Sequence, residues 1–152
     1  MCQDPDMSQA ANSELRPGYL VKRVQQLVRH AADADLRNTG LSVSQYAVLN
    51  ALAEHPGASS AELARQCFVT RQSLQDVLSG LRANGLVVVA EKAVTGRARP
   101  AGLTDLGRRR LTEAERVMTA VEEQMLTGLS AEDRSRLTNL LIRCAENLTD
   151  LS

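Results

Sequence analysis

Apolar residues recur along this chain at alternating spacings of three and four, the period of helices with one buried face. Leu20, Val24, Leu27, Val28 and Ala31 mark the first such stripe, on a helix predicted from Pro17 to about Arg37. Proline suits its first turn, and Asn38-Thr39-Gly40 stops it. Ser42 can cap a second helix bearing Val43, Ala47, Leu49, Ala51 and Leu52, which ends at His55-Pro56-Gly57. Ser59 and Glu62 then fit a capping box, each side chain satisfying the other residue's free N–H. The short helix that follows, Ser60–Cys67, would bury Ala61, Leu63, Ala64 and Cys67. After Phe68-Val69, Thr70 caps a helix from Arg71 to Ala83, and Asn84-Gly85 supplies its left-handed end. Two helices joined by two or three residues form a helix-turn-helix.

Leu86-Val87-Val88-Val89-Ala90 is a β-branched run after a glycine and predicts a strand. Lys92–Arg97 reads as a turn, and Ala98–Leu103 as the returning strand, with Pro100 confined to an edge. A hairpin directly after the second helix is the wing of a winged helix-turn-helix. Thr104 caps a long helix with Leu111, Ala114, Met118, Val121 and Met125 in phase; Gly128 ends it, and Ser130 opens the last. That last helix repeats the stripe at Leu137, Leu141, Cys144, Leu148 and Leu151. The expected fold is mainly α with a small β-hairpin wing. It divides into a mobile tail (1–16), a dimerisation helix (17–37), a winged module (42–104), and a long helix with a C-terminal dimerisation helix (105–152). The terminal stripes, Leu20, Val24 and Leu27 with Leu137, Leu141, Cys144 and Leu148, need apolar partners. An intrachain bundle would supply them, and so, more economically, would a two-fold dimer.

Composition narrows the function. The 152 residues are 43% hydrophobic and 24% charged, enough to fold as a globular protein. No apolar run approaches a membrane span, and Met1–Asp6 lacks the features of a signal peptide, so a soluble cytoplasmic protein is expected. Three scattered cysteines, Cys2, Cys67 and Cys144, offer neither a disulfide framework nor a metal set, and no cofactor is implied. With Tyr19, Tyr46 and Phe68 as the sole aromatics, a stacking-based reader of RNA or single strands is disfavoured. No nucleophile–base pair or phosphate loop points to an enzyme.

Eighteen basic and eighteen acidic residues cancel overall, but they are segregated. Residues 60–110 carry nine basic and four acidic side chains, while residues 111–152 carry four and eight. A cationic module inside an acidic frame suits a polyanion partner. On the second helix of the pair, Gln72, Asp76, Ser79 and Ala83 lie opposite the apolar stripe, with Ser73 and Gln75 on the shoulders. Glutamine can hydrogen-bond an adenine edge twice, and a carboxylate can accept from cytosine N4. Ser60, Thr70 and Arg71, near helix starts, suit phosphates. Arg97 at the hairpin turn, with Arg99 beyond it, suits a narrow minor groove, and Lys92 a phosphate. Any one of these residues also fits an ordinary solvated face; their position on a recognition helix and wing singles them out.

Four segments carry a family resemblance: Leu41–Leu49, Ala58–Ala64, Leu81–Val87 and Leu103-Thr104-Asp105-Leu106-Gly107. Together they resemble the MarR family of bacterial winged-helix transcriptional regulators, from about Gly18 to the C-terminus. The resemblance implies a nucleoid-associated homodimer that binds a palindromic double-stranded operator, usually as a repressor, with Arg97 as its wing-tip arginine. It also implies response to a small aromatic or phenolic effector, for which Tyr46 and His30 are the candidate contacts. The chain departs from the family pattern at Asp76, Gly80, Val89 and Thr95. Those departures keep open a winged-helix antagonist that binds another regulator; the resemblance also leaves open a cysteine-based redox regulator, since some relatives sense oxidants through a cysteine near the first helix.

Overall fold

The computed structural model describes residues 13–89 and 101–149. Helix α1 (Pro17–Leu36) starts on its proline and runs into a 3-10 turn (Arg37–Thr39) closed by Gly40 at φ +77°. Helix α2 (Val43–Glu54) opens with a capping box: Ser42 Oγ accepts from the Gln45 N–H, and Gln45 Oε1 accepts from the Ser42 N–H. Helix α3 (Ser60–Gln66) opens with the expected Ser59–Glu62 box, and α4 (Arg71–Ala83) with the Thr70 cap. Strands β1 (Val87–Val89) and β2 (Ala101–Leu103) pair antiparallel with Val87 opposite Leu103. The long helix α5 (Asp105–Met125) and the last helix α6 (Ala131–Thr149) complete the described elements. The mainly helical architecture with a two-stranded wing base is the one the sequence predicts.

Leu86, predicted as the first strand residue, instead precedes β1, while Ala90 and residues 98–100 of the predicted strands lie outside the described residues. So do the hairpin turn, Pro100, Leu151 and most of the expected N-terminal tail.

The core is aliphatic. Leu36, Leu49, Leu63, Leu74 and Leu81 are fully buried where the C-terminal part of α1, the helix-turn-helix and α5 meet. Ala32 and Leu36 of α1 join Leu111, Ala114 and Val121 of α5 in that core, tying the long helix to the module. The N-terminal half of α1 is different: Leu20, Val24 and Leu27 are exposed, as are Tyr19 and Val21. Helix α6 buries no residue at all. Leu141, Cys144 and Leu148 are exposed and only Leu137 is half-buried, while Leu140 and Ile142 add to the open apolar surface. The intrachain bundle is therefore not what these stripes form. The elbow between α5 and α6 is fixed by Arg134, whose guanidinium donates to both Glu123 oxygens (2.9 and 3.1 Å) and to the Leu126 and Leu129 carbonyls.

Candidate nucleic-acid interface

Helix α4 is divided cleanly by burial. Leu74, Leu78 and Leu81 face the core with Val77 half-buried, whereas Arg71, Gln72, Ser73, Gln75, Asp76 and Ser79 are exposed on the other side. The exposed face is already organised by its own hydrogen bonds. Thr70 Oγ1 accepts from the Ser73 N–H at 3.1 Å and donates to Ser73 Oγ at 3.0 Å. The Gln72 amide N–H donates to Asp76 Oδ1 at 3.2 Å, one helical turn on, which leaves Gln72 Oε1 as an acceptor. The Gln75 amide N–H donates to Ser60 Oγ at 3.3 Å, joining α4 to the first turn of α3. Ser60 thus supports the exposed face of α4 as well as sitting at a helix start. Gly80, by contrast, faces α2: a Cβ there would stand 3.7 Å from the Gln45 side-chain nitrogen, an ordinary contact.

The wing residues Lys92, Arg97 and Arg99 lie outside the described residues, but the base that holds the wing is well defined. Thr104 Oγ1 accepts from the Gly107 N–H at 3.0 Å and donates to the Gly85 carbonyl at 2.7 Å. The Thr104 N–H reaches the Leu86 carbonyl at 3.1 Å. Gly107 is obligatory here, because a Cβ would overlap the Leu86 carbonyl oxygen. These contacts give the Leu-Thr-x-x-Gly motif a physical meaning: threonine caps α5 while tying it to the end of α4, and glycine lets α5 touch the Leu86 backbone just ahead of β1. The sequence marked the motif without showing this close approach. The cationic start of α5 is partly offset locally, with Arg108 3.5 Å from Asp105 and Arg110 3.2 Å from Glu113.

Tyr46 and His30 do not share a cavity. Tyr46, half-buried on α2, borders a groove of ≈ 430 Å³ with Val28, Met118, Met125, Glu115 and Glu122. Burial raises the Tyr46 phenol pKa, and the Glu115, Glu54 and Glu122 carboxylates add to the effect, so the hydroxyl stays protonated. His30, exposed on α1, borders a neighbouring groove of ≈ 370 Å³ with Val24, Leu27, Val121 and Gln124. Val28 and Met125 line both grooves. A roomier recess, ≈ 610 Å³, lies against the two strands beside Pro56, Leu103 and Arg108, and neither candidate residue borders it.

The cysteines divide as well. Cys67 is half-buried, its thiol directed at the Ala47 carbonyl (3.6 Å), and burial pushes its pKa up, away from the reactive thiolate. Cys144 is exposed on α6, and Cys2 lies outside the described residues. No helix among the described residues is long and apolar enough to cross a membrane.

Comparison with known proteins places this geometry. A family model described as "MarR family" matches residues 39–98, the span from the end of α1 into the wing. The HTH-type transcriptional repressor Rv2887 of Mycobacterium tuberculosis is 36% identical over 124 residues, covering 82% of this chain and 89% of the relative. The crystal structure of Rv2887 in complex with salicylic acid superposes with a TM-score of 0.71 at 35% identity, over 85% of this chain and 96% of that one. Its complex with DNA gives 0.69 at 33% identity, over 85% and 97%. With this identity, coverage and shared fold, the chain belongs to the MarR family of winged helix-turn-helix transcriptional regulators.

Proposed function

We propose that this protein is a homodimeric repressor that binds a near-palindromic operator, with α4 in the major groove and Arg97 of the wing in the adjacent minor groove. The single observation that carries this reading is the face of α4, where Gln72, Ser73, Gln75, Asp76 and Ser79 are exposed opposite three buried leucines. A helix held this way offers donors and acceptors to base edges while Arg71 and the module's other cations meet phosphates. The relative Rv2887 is named a repressor and has been crystallised with DNA, which supports the same role here. The open apolar surfaces of α1 and α6 supply the seam for a second copy, and a two-fold pair presents two recognition helices about one DNA turn apart. Such a protein acts in the cytoplasm, at the nucleoid.

A small aromatic effector fits the Tyr46 groove, whose volume lies in the range of ligand sites. Rv2887 has been crystallised with salicylic acid, an aromatic anion. Here Glu115 and Glu122 border the groove, so a neutral or cationic ring suits it better than a carboxylate.

The test is a fluorescence-anisotropy titration on the intergenic duplex beside the gene. Tight binding that weakens steeply with salt is expected; equal affinity for a scrambled duplex would overturn specific reading. One observation favours a second reading, an antagonist that pairs with another regulator. Asp76 places a carboxylate amid the face that would meet DNA and occupies the Gln72 amide N–H. Capture of a regulator without duplex binding at low salt would favour that reading.

A further inference from the structure

Phe68, in the turn between α3 and α4, has no part in any contact described above. It is 95% exposed, more than any other large apolar side chain among the described residues. Its φ of +54° makes it the one non-glycine described residue in the left-handed region. Glycine would satisfy that backbone at lower cost, and burial gives the ring no reason to be there. The turn itself is well anchored: the Phe68 N–H donates to the Arg65 carbonyl (3.2 Å) and the Val69 N–H to the Ala64 carbonyl (3.0 Å). Val69 is half-buried beside the core, and Thr70 caps α4. A large apolar ring is thus held in solvent two residues ahead of that cap, at the leading end of the exposed face that begins with Arg71 and Gln72.

We propose that Phe68 is a base-contacting residue, its ring resting on the 5-methyl group of one thymine in each operator half-site. The inference rests on α4 being the recognition helix. A phenyl ring has no donor or acceptor for phosphates or polar base edges. The thymine methyl is the apolar group that the major groove displays, and it distinguishes T·A from the other pairs. Phe68 then adds sequence preference that the polar residues of α4 do not supply, at the cost of a strained turn and an exposed ring in the free protein.

The experiment compares the full-length protein with its Phe68→Gly variant, by anisotropy on a duplex that the parent binds. The same duplex is also made with each thymine in turn replaced by deoxyuridine, which removes only the methyl group. Glycine accepts the turn's backbone, so the variant should melt no lower than the parent. It should bind about tenfold more weakly. One thymine per half-site should be sensitive to deoxyuridine in the parent and insensitive in the variant, while Phe68→Leu keeps part of the affinity. Unchanged affinity in Phe68→Gly overturns the proposal, as does a deoxyuridine effect equal in parent and variant. Uniform weakening with no sensitive thymine overturns it too, because that is the signature of a sugar contact. A parent that binds no duplex would instead bring down the assignment of α4, a failure distinguishable from the others.

Discussion

Helices α4 and α6 carry apolar stripes of the same period, yet they end in opposite environments. In α4, Leu74, Leu78 and Leu81 are sealed against the rest of the module. In α6, Leu141 remains 45% and Leu148 70% exposed. The N-terminal half of α1 behaves like α6, and its C-terminal half like α4, because Ala32 and Leu36 are buried in the core that includes α5 while Leu20 and Val24 stay exposed. A periodic stripe therefore states that a helix needs a partner without stating which chain provides it. The division also separates duties in the proposed function: the closed half shapes the reading surface, and the open half holds two such surfaces in register.

The sharpest way to break this comparison is to charge the open surface. Leu141→Asp should give a monomer by sedimentation with helical content largely kept, and operator affinity about a thousandfold lower, because the two half-sites are no longer bound together. A dimer of undiminished affinity would remove α6 from the seam. Next comes the closed half, where Gly107→Ala drives a methyl into the Leu86 carbonyl. A loss of about 3 kcal/mol is expected, seen as a melting midpoint lower by roughly 6–12 °C. An unchanged midpoint would show that α5 can back away from the hairpin.

Smaller effects probe the reading surface. Arg97→Ala should weaken operator binding and flatten its salt dependence. Gln72→Ala should relax the preference at one base pair by roughly 1–3 kcal/mol. Unchanged binding by both would relocate the contacts. The gentlest test concerns the Tyr46 groove: phenethylamine, a cationic aromatic, should raise the melting midpoint by a few degrees at saturation, where salicylate does not. Glu115→Gln with Glu122→Gln should abolish that difference, and salicylate stabilising the parent would overturn the proposed charge preference.

Helix boundaries were legible because they are written in local chemistry. Ser59 with Glu62, Thr70, Gly85 and Thr104 act within a few residues of themselves, and each does what its spacing requires. The polar face of α4 was legible for the same reason. Features that depend on how helices approach one another were not. His30 and Tyr46 sit on separate helices, and the packing of α1 and α2 on α5 puts them in adjacent grooves instead of one. Gly107 stands in the sequence as one member of a motif, and its reason is visible only with the Leu86 carbonyl against it. The Gln72–Asp76 pairing lay within reach of a one-turn spacing rule, but treating each side chain as a separate base reader obscured it.

In the proposed dimer, Arg134 at the elbow would set a geometric tolerance for both copies. Helix α6 spans 19 residues, a lever of roughly 28 Å, so five degrees of play at its root would swing the tip by about 2.5 Å. Two such levers meeting across a symmetry axis would double that error in the distance between the reading heads to about 5 Å, more than the roughly 3.4 Å of one base-pair step. In that dimer, a guanidinium nitrogen held by both Glu123 oxygens at the pivot would turn the arm into a ruler, and the length it measures would be the spacing of the DNA half-sites.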